Sequence, residues 1–116
     1  MANITIYGIR NCDTIKKARA WLEREGIAHR FHDYRANGLD PARLAAWVAA
    51  LGWEALINRN GTTFRKLPEA EREDLDAARA SALMLAQPGM IRRPLLDIDG
   101  ALLVGFKSET YAARLK

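Results

Sequence analysis

Cysteine is almost missing from this chain: its 116 residues carry one thiol, Cys12, beside four prolines and eight glycines. A single cysteine excludes an intrachain disulfide, so any redox chemistry at Cys12 must draw its second sulfur from another molecule. Long hydrophobic runs are missing too. The most apolar stretch, residues 44–53, is far shorter than the roughly 20 residues that cross a bilayer, so no membrane association is expected. The opening "MANITIYGIR" has neither the basic start nor the long apolar stretch of an export signal. With one cysteine and no such signal, the expected compartment is a reducing one, the cytoplasm. Repeats, low-complexity segments and domain linkers are absent as well. The length suits one domain, residues 1–116, able to bury roughly two thirds of its unfolded surface without a disulfide or metal.

Charge of one sign is also scarce. Eighteen lysines and arginines face fourteen acids, a net charge of +4. The basic residues lie in pairs (Lys16-Lys17, Arg92-Arg93) or alternate with acids, as in "EAEREDLDAAR". That pattern describes a mixed solvated surface, not a nucleic-acid face, and a small anionic substrate fits it better.

The remaining signals order the chain. "NITIYG" (3–8) alternates Ile4 and Ile6 with polar neighbours and predicts a strand. "CDTIKKARAWLEREG" follows as a helix, with Ile15, Ala18 and Leu22 on one face and Gly26 as its stop. "AHRFHDY" (28–34) gives a second strand, and strand, helix, strand with short connections implies a parallel βαβ unit. Asp40 and Pro41 start a helix whose stripe is Leu44, Trp47, Val48 and Leu51. "INRNGT" reads as a loop, "PEAERED" as a short polar turn or helix. Residues 76–87 predict a helix with Ala78, Ala82 and Leu85 inward, ended by Pro88-Gly89. "RPLLDIDGALLVGF" is a hairpin turning at Asp99-Gly100. Ser108 caps a last helix, with Tyr111 and Leu115 inward. The order βαβ, helices, ββα gives an α/β protein with a mixed four-stranded sheet and a helical insertion at about 40–87.

Cys12 stands where the first strand gives way to the first helix. Free backbone N–H groups and the helix dipole there favour a thiolate, and Arg10, Lys16 and Lys17 add positive charge. A thiol a hundred times more acidic than free cysteine is about 25-fold more ionised at pH 7, yet each thiolate is about 8-fold less nucleophilic. The net gain in attack is about threefold, so the larger benefit is as a leaving group, which favours turnover by an external thiol. Free cysteine is often an inert, buried small hydrophobe; the polar flank of Asn11, Asp13 and Thr14 suits a reactive one better. Ile15 stands where a C-x-x-C motif would need its second cysteine. His29 and His32 sit three apart on a strand and point to opposite faces, which does not suit a shared metal. Arg92-Arg93 suits a carboxylate or oxyanion, or equally a solvated strand end. About one X-Pro bond in twenty is cis, so the residues alone say that the bond to Pro94 is trans.

"ITIYGIRNCDTIKKA", "LINRNGTTFRKL", "IRRPLL" and "GFKSETY", in that order and spacing, resemble the arsenate reductase-like family of ArsC, Spx and YffB proteins. The resemblance spans essentially the whole chain and is closest to the YffB branch. It implies a thioredoxin-like fold with a helical insertion, Cys12 as the catalytic thiol, and a cis Arg93-Pro94 bond beside which a peptide such as glutathione pairs. It also implies departures. Arsenate reductases of this type surround the cysteine with three arginines; here only Arg93 falls on such a position, with Asn58 at another and Arg59 one residue later. The flanking histidine and serine are replaced by Gly8 and Ile15. A C-x-x-C switch of the Spx kind is excluded by Ile15.

The expectation is therefore a glutathione-dependent thiol oxidoreductase, ahead of an arsenate reductase and of a non-catalytic Spx-like module that binds RNA polymerase. Cys12 would attack a small-molecule or protein disulfide, or form an adduct with an oxidised substrate. Arg93 and Arg10, helped by Arg59, would bind anionic groups, and Asn11 and Thr14 would donate hydrogen bonds near the sulfur. No metal or tightly bound cofactor is expected. Glutathione is the expected co-substrate, and the expected oligomeric state is a monomer.

Overall fold

β1 (Ile4–Gly8) is the strand on which the rest is assembled. The computed structural model describes residues 3–10 and 12–116. Ile4 and Ile6 alternate with Thr5 as a half-buried strand requires, and Ile6 is fully buried. α1 (Asp13–Arg24) buries Ile15, Ala18, Trp21 and Leu22, one stripe at helical spacing. It ends as its sequence dictates. Gly26 takes φ +70°, its N–H donates to the Glu23 carbonyl at 3.1 Å, and the Ile27 N–H donates to the Leu22 carbonyl at 2.9 Å.

β2 (Arg30–Asp33) is shorter than the seven residues predicted and pairs parallel to β1, with Gly8 opposite Asp33. β3 (Leu95–Ile98) runs antiparallel to β1 on its other side, and β4 (Ala101–Val104) completes the order β2-β1-β3-β4. Asp99 and Gly100 both take positive φ, 51° and 94°, the two-residue turn that matches strand twist. α7 (Ser108–Leu115) closes the chain. Ser108 is its first helical residue, not its cap. Lys107, extended at φ −139°, holds the cap position, and no side chain completes it.

The chain divides into two compact units, one comprising the segment up to Asn37 with Arg93–Lys116, the other Gly38–Arg92. In the first, Ile4, Ile6 and Leu96 of the sheet pack with Ala18, Trp21 and Leu22 of α1 and Tyr111 of α7. Tyr111 is the hinge of that core, edge-on to Trp21 at 5.7 Å and to Phe106 at 4.8 Å between ring centroids. Each such buried aromatic or leucine contributes about 1.5–3 kcal/mol of transfer free energy.

The second unit is helical: α2 (Pro41–Leu51), α3 (Trp53–Leu56), α4 (Thr62–Arg65), α5 (Glu69–Arg72), α6 (Ala77–Ala86) and a 3-10 turn at Pro88–Met90. Asp40 caps α2 by accepting from the Ala42 N–H at 3.0 Å, with Pro41 first in the helix. Leu44 and Trp47 are buried, while Val48 and Leu51 are half-buried. α6 is turned from its predicted orientation. Ala80 and Met84 are buried, whereas Ala78 and Ala82 are exposed and Leu85 is only half-buried. Alanine carries too little apolar surface to set a helix's rotation, and Met84, the larger side chain, takes the interior. Ile57 and Ile91 form a β-bridge that the sequence did not announce, flanked by hydrogen bonds from Asn58 N to Met90 O and from Arg92 N to Leu56 O, both 2.7 Å.

Candidate active site around Cys12

Three chain segments meet at one end of the sheet: the C-terminal end of β1, the C-terminal end of β2 and the start of β3. Cys12 lies just past β1. Its N–H donates to the Ile9 carbonyl at 3.3 Å, its backbone is extended (φ −100°, ψ 127°), and it holds the cap position of α1, half-buried. Gly8, the last residue of β1, is what lets the first turn of α1 come so close. A methyl group added to Gly8 would clash with Ile15 Cδ1 and stand 2.8 Å from Ile15 Cγ1.

Burial by itself pushes the Cys12 thiol up, because a thiolate is costly away from water. The opposing groups win, and the thiol is held below its ordinary value of 9.0. In order of size they are the Ile15 backbone N–H, the Arg93 side chain as hydrogen-bond donor, the Thr14 backbone N–H and the Arg93 charge. The sulfur makes no capping hydrogen bond of strict geometry, so these amides act by converging on the thiolate at the positive end of the helix. Thr14, expected to donate near the sulfur, contributes through its main-chain N–H.

Arg93 is the residue before a cis bond to the buried Pro94. Leu95 of β3 pairs with Tyr7 of β1, and that register brings Arg93 to the Cys12 end of the sheet. Arg10 is exposed, its charge acts on Asp33, and it is not among the groups that lower the Cys12 thiol. Lys16 and Lys17 are exposed and likewise absent from them. Among the described residues the positive side chain acting on the sulfur is therefore that of Arg93. Asn11 lies outside the described residues. Arg59 belongs to the other unit, where its guanidinium is 5.1 Å from the centre of the Trp53 ring. His29 Nδ1 is 3.0 Å from the Ile27 carbonyl and His32 packs on Tyr7 at 5.3 Å, so each histidine is occupied locally.

Two residues of the site escaped the sequence reading. Asp33, 5% exposed, accepts from the Arg10 N–H through Oδ2 at 3.1 Å and from the Arg35 and Ala36 N–H groups through Oδ1 at 2.9 and 3.0 Å. Burial raises its pKa, but the three amides and the Arg10 charge outweigh it and hold the carboxylate below its ordinary range. Asp33 thus ties the loop leading to Cys12 to the end of β2. Tyr34, 1% exposed, follows it and donates its N–H to the Gly8 carbonyl at 3.1 Å. Burial pushes its phenol far up, while the Arg93 side chain opposes and the charges of Cys12 and Asp33 add to the rise. The Arg93 guanidinium is thus close by, yet the Tyr34 hydroxyl is buried with no hydrogen bond of good geometry. An aspartate at a strand end, followed by tyrosine, is the one signal that could have drawn attention to this pair.

Known proteins share this build. The solved structure of a YFFB protein is 54% identical and superposes with a TM-score of 0.94 over 98% of this chain and 100% of that one. An arsenate reductase (ArsC) related protein from Brucella melitensis is 57% identical, with a TM-score of 0.81 over 98% of this chain and 95% of its own. The global transcriptional regulator Spx of Listeria innocua is 27% identical over 91% of this chain and 82% of its own length. Residues 7–114, from the end of β1 through α7, match the ArsC family model, and the chain belongs to the ArsC family.

Proposed function

We propose that this protein is a thiol-based reductase in which Cys12 is the nucleophile and glutathione the co-substrate. The observation that carries the reading is the lowered Cys12 thiol, held by the Ile15 and Thr14 amides and by Arg93 against the effect of burial. In the first step the Cys12 thiolate attacks one sulfur of a substrate disulfide R–S–S–R′, forming Cys12–S–S–R and releasing R′–S⁻, which takes a proton from water. In the second, a glutathione thiolate attacks the sulfur of R, the Cys12–sulfur bond breaks, and Cys12 leaves as thiolate. The product is the glutathione disulfide of R. Where R is itself glutathionyl, the two steps yield oxidised glutathione and a free substrate thiol. The groups that stabilise the Cys12 thiolate lower the barrier most in the second step, where it is the leaving group. Arg93 neutralises charge at the sulfur and offers a guanidinium to a substrate carboxylate.

Arsenate ranks lower as a substrate, since among the described residues Arg93 supplies the one positive side chain acting on the sulfur and a multiply charged oxyanion calls for more. The likeness to Spx favours a second reading, a regulator that binds RNA polymerase without a redox switch. Thiolate absorbance against pH, followed by mass spectrometry after exposure to oxidised glutathione, tests the first reading. It expects a thiol more acidic than free cysteine and a single glutathione adduct on Cys12. A thiol titrating at or above about 8.5 with no adduct would overturn it. Polymerase capture that survives Cys12→Ser undiminished would put the regulator first.

A further inference from the structure

Asp33 does more than tie two strand ends together: it sets two arginines side by side. Its Oδ2 accepts from the Arg10 N–H at 3.1 Å and its Oδ1 from the Arg35 N–H at 2.9 Å, so two main-chain segments far apart in sequence lie one carboxylate's width from each other. The Tyr34 N–H, donating to the Gly8 carbonyl at 3.1 Å, joins the same two loops. Each arginine stands in a tight turn. That of Arg10 is closed by the Cys12 N–H on the Ile9 carbonyl at 3.3 Å, and that of Arg35 by the Asn37 N–H on the Asp33 carbonyl at 2.8 Å. The first turn therefore ends on the thiol residue itself.

Both arginine side chains are exposed. The Arg10 charge acts on Asp33, but that carboxylate is 5% exposed and holds Arg10 and Arg35 by their main-chain N–H groups, not by their guanidinium groups. A guanidinium has five donors, no acceptor and a charge that persists wherever a thiol titrates. Two of them at the rim of a thiol site suit a carboxylate on the body of a substrate whose sulfur Cys12 attacks. Asp13, exposed and next after Cys12, is the opposing charge on this rim, and Lys16 and Lys17, exposed on the first turns of α1, more than balance it.

We infer that Arg10 and Arg35 form a carboxylate subsite beside Cys12 and select disulfides that carry an acid group close to the sulfur. This rests on the reading of Cys12 as the attacking thiolate, and it names the substrate class of that reaction: anionic disulfides, of which oxidised glutathione is one. The step itself is unchanged. The Cys12 thiolate bonds to one substrate sulfur, the substrate S–S bond breaks, and the other half leaves as a thiolate that takes a proton from water. The two arginines touch the acid group and not the sulfur.

The test is the rate of mixed-disulfide formation on Cys12, followed by mass spectrometry on the full chain, with two matched probes. Dithiodipropionate carries a carboxylate near each sulfur, and its diamide is the same skeleton without charge. The quantity read is the ratio of the two rates. Arg10→Gln and Arg35→Gln keep the N–H groups that Asp33 binds, so the turns stay while the charge goes. Each should lower the ratio by about two- to fivefold, the scale of one exposed charge pair, and the double substitution should lower it further than either. Lys16→Gln, a charge outside the subsite, should move it less. Added salt should lower the ratio in the unaltered protein, because exposed charges are screened. A ratio unmoved by Arg35→Gln overturns the inference even if both rates fall together, since a merely structural role slows the two probes alike. If the arginine variants do not fold, the salt series decides: a falling ratio supports the subsite, and a ratio indifferent to salt overturns it. Reaction with neither probe strikes the reading of Cys12 and the inference with it, whereas reaction with both at a ratio blind to salt and to the arginine substitutions strikes the subsite alone and leaves the thiol chemistry standing.

Discussion

The side chain of Ile15 occupies the place that a side chain on Gly8 would fill. A methyl group at position 8 would clash with Ile15 Cδ1 and lie 2.8 Å from Cγ1, and Ile15 is itself 1% exposed. These are the two positions at which the sequence departs from the histidine and serine of arsenate reductases, and the structure shows that they form one packing unit.

Gly8→Ala should therefore destabilise the fold by about 1–3 kcal/mol, as overpacking of a closed site does. Ile15 cannot retreat into solvent. Adding Ile15→Ala to Gly8→Ala should cost less than the sum of the two single changes, because each removes what the other collides with or leaves empty. Denaturant melts of the four forms read this; strict additivity would show that the close approach carries no strain.

Asp33→Asn isolates the tie between the two strand ends. An asparagine oxygen can still accept from the Arg35 and Ala36 amides, but its NH₂ would then face the Arg10 N–H where Oδ2 now accepts. The expected cost is about 1–2 kcal/mol, with faster amide exchange at Arg10. Exchange unchanged at Arg10 would refute the tie.

Asp33 also gives the fold a pH dependence of known sign. Its folded carboxylate titrates below its ordinary value of 3.8, so between the two values the unfolded chain binds more protons. Stability from this group is complete above the ordinary value and is lost as pH falls through the lowered one. Acid melts of the unaltered protein should decline through that window more steeply than those of Asp33→Asn, and parallel declines would contradict the assignment.

For the thiol the same logic runs at higher pH. Cys12 titrates below 9.0 when folded, so its contribution is complete above that value and is lost as pH falls through the folded pKa. The melting-temperature difference between the unaltered protein and Cys12→Ser should grow in favour of cysteine from neutral pH to about pH 9. Alkylation by iodoacetamide should reach its plateau below the pH at which free cysteine does. A thiol profile matching free cysteine would count against it.

Arg93→Ala should slow alkylation at pH 7 by up to about threefold, since lost ionisation is partly offset by the higher nucleophilicity of the less acidic thiolate. That figure is discounted because Arg93 is half-buried, not enclosed. Arg93→Lys should recover part of the loss by restoring the charge without the fork of donors. Equal rates in all three forms would mean that the helix amides alone set the thiol.

Much of this architecture was legible in the chain. Period-2 isoleucines marked β1, the stripe of Ile15, Ala18 and Leu22 marked α1, Asp40-Pro41 started α2, and Asp99-Gly100 turned the hairpin, because each signal is local, spanning a few residues whose backbone preferences act without help. Ala78 and Ala82 misled where alanine gave no direction, and the cap assigned to Ser108 fell one residue earlier, on an extended Lys107 whose side chain makes no capping hydrogen bond. The bridge of Ile57 to Ile91 joins residues with no local signal for each other.

By itself the sequence determined that one thiol stands at the junction of a strand and a helix with no second thiol to pair with, since composition and local propensity suffice for that. Which charge reaches the thiol was decided by tertiary structure. Arg10, two residues away along the chain, spends its charge on Asp33, 23 residues distant, while Arg93, from the far end of the sequence, acts on Cys12. The physical reason is the strand order β2-β1-β3-β4. It brings the end of β1, the end of β2 and the start of β3 to one edge, and electrostatic and hydrogen-bond partners are chosen by distance in space, which proximity in sequence does not set.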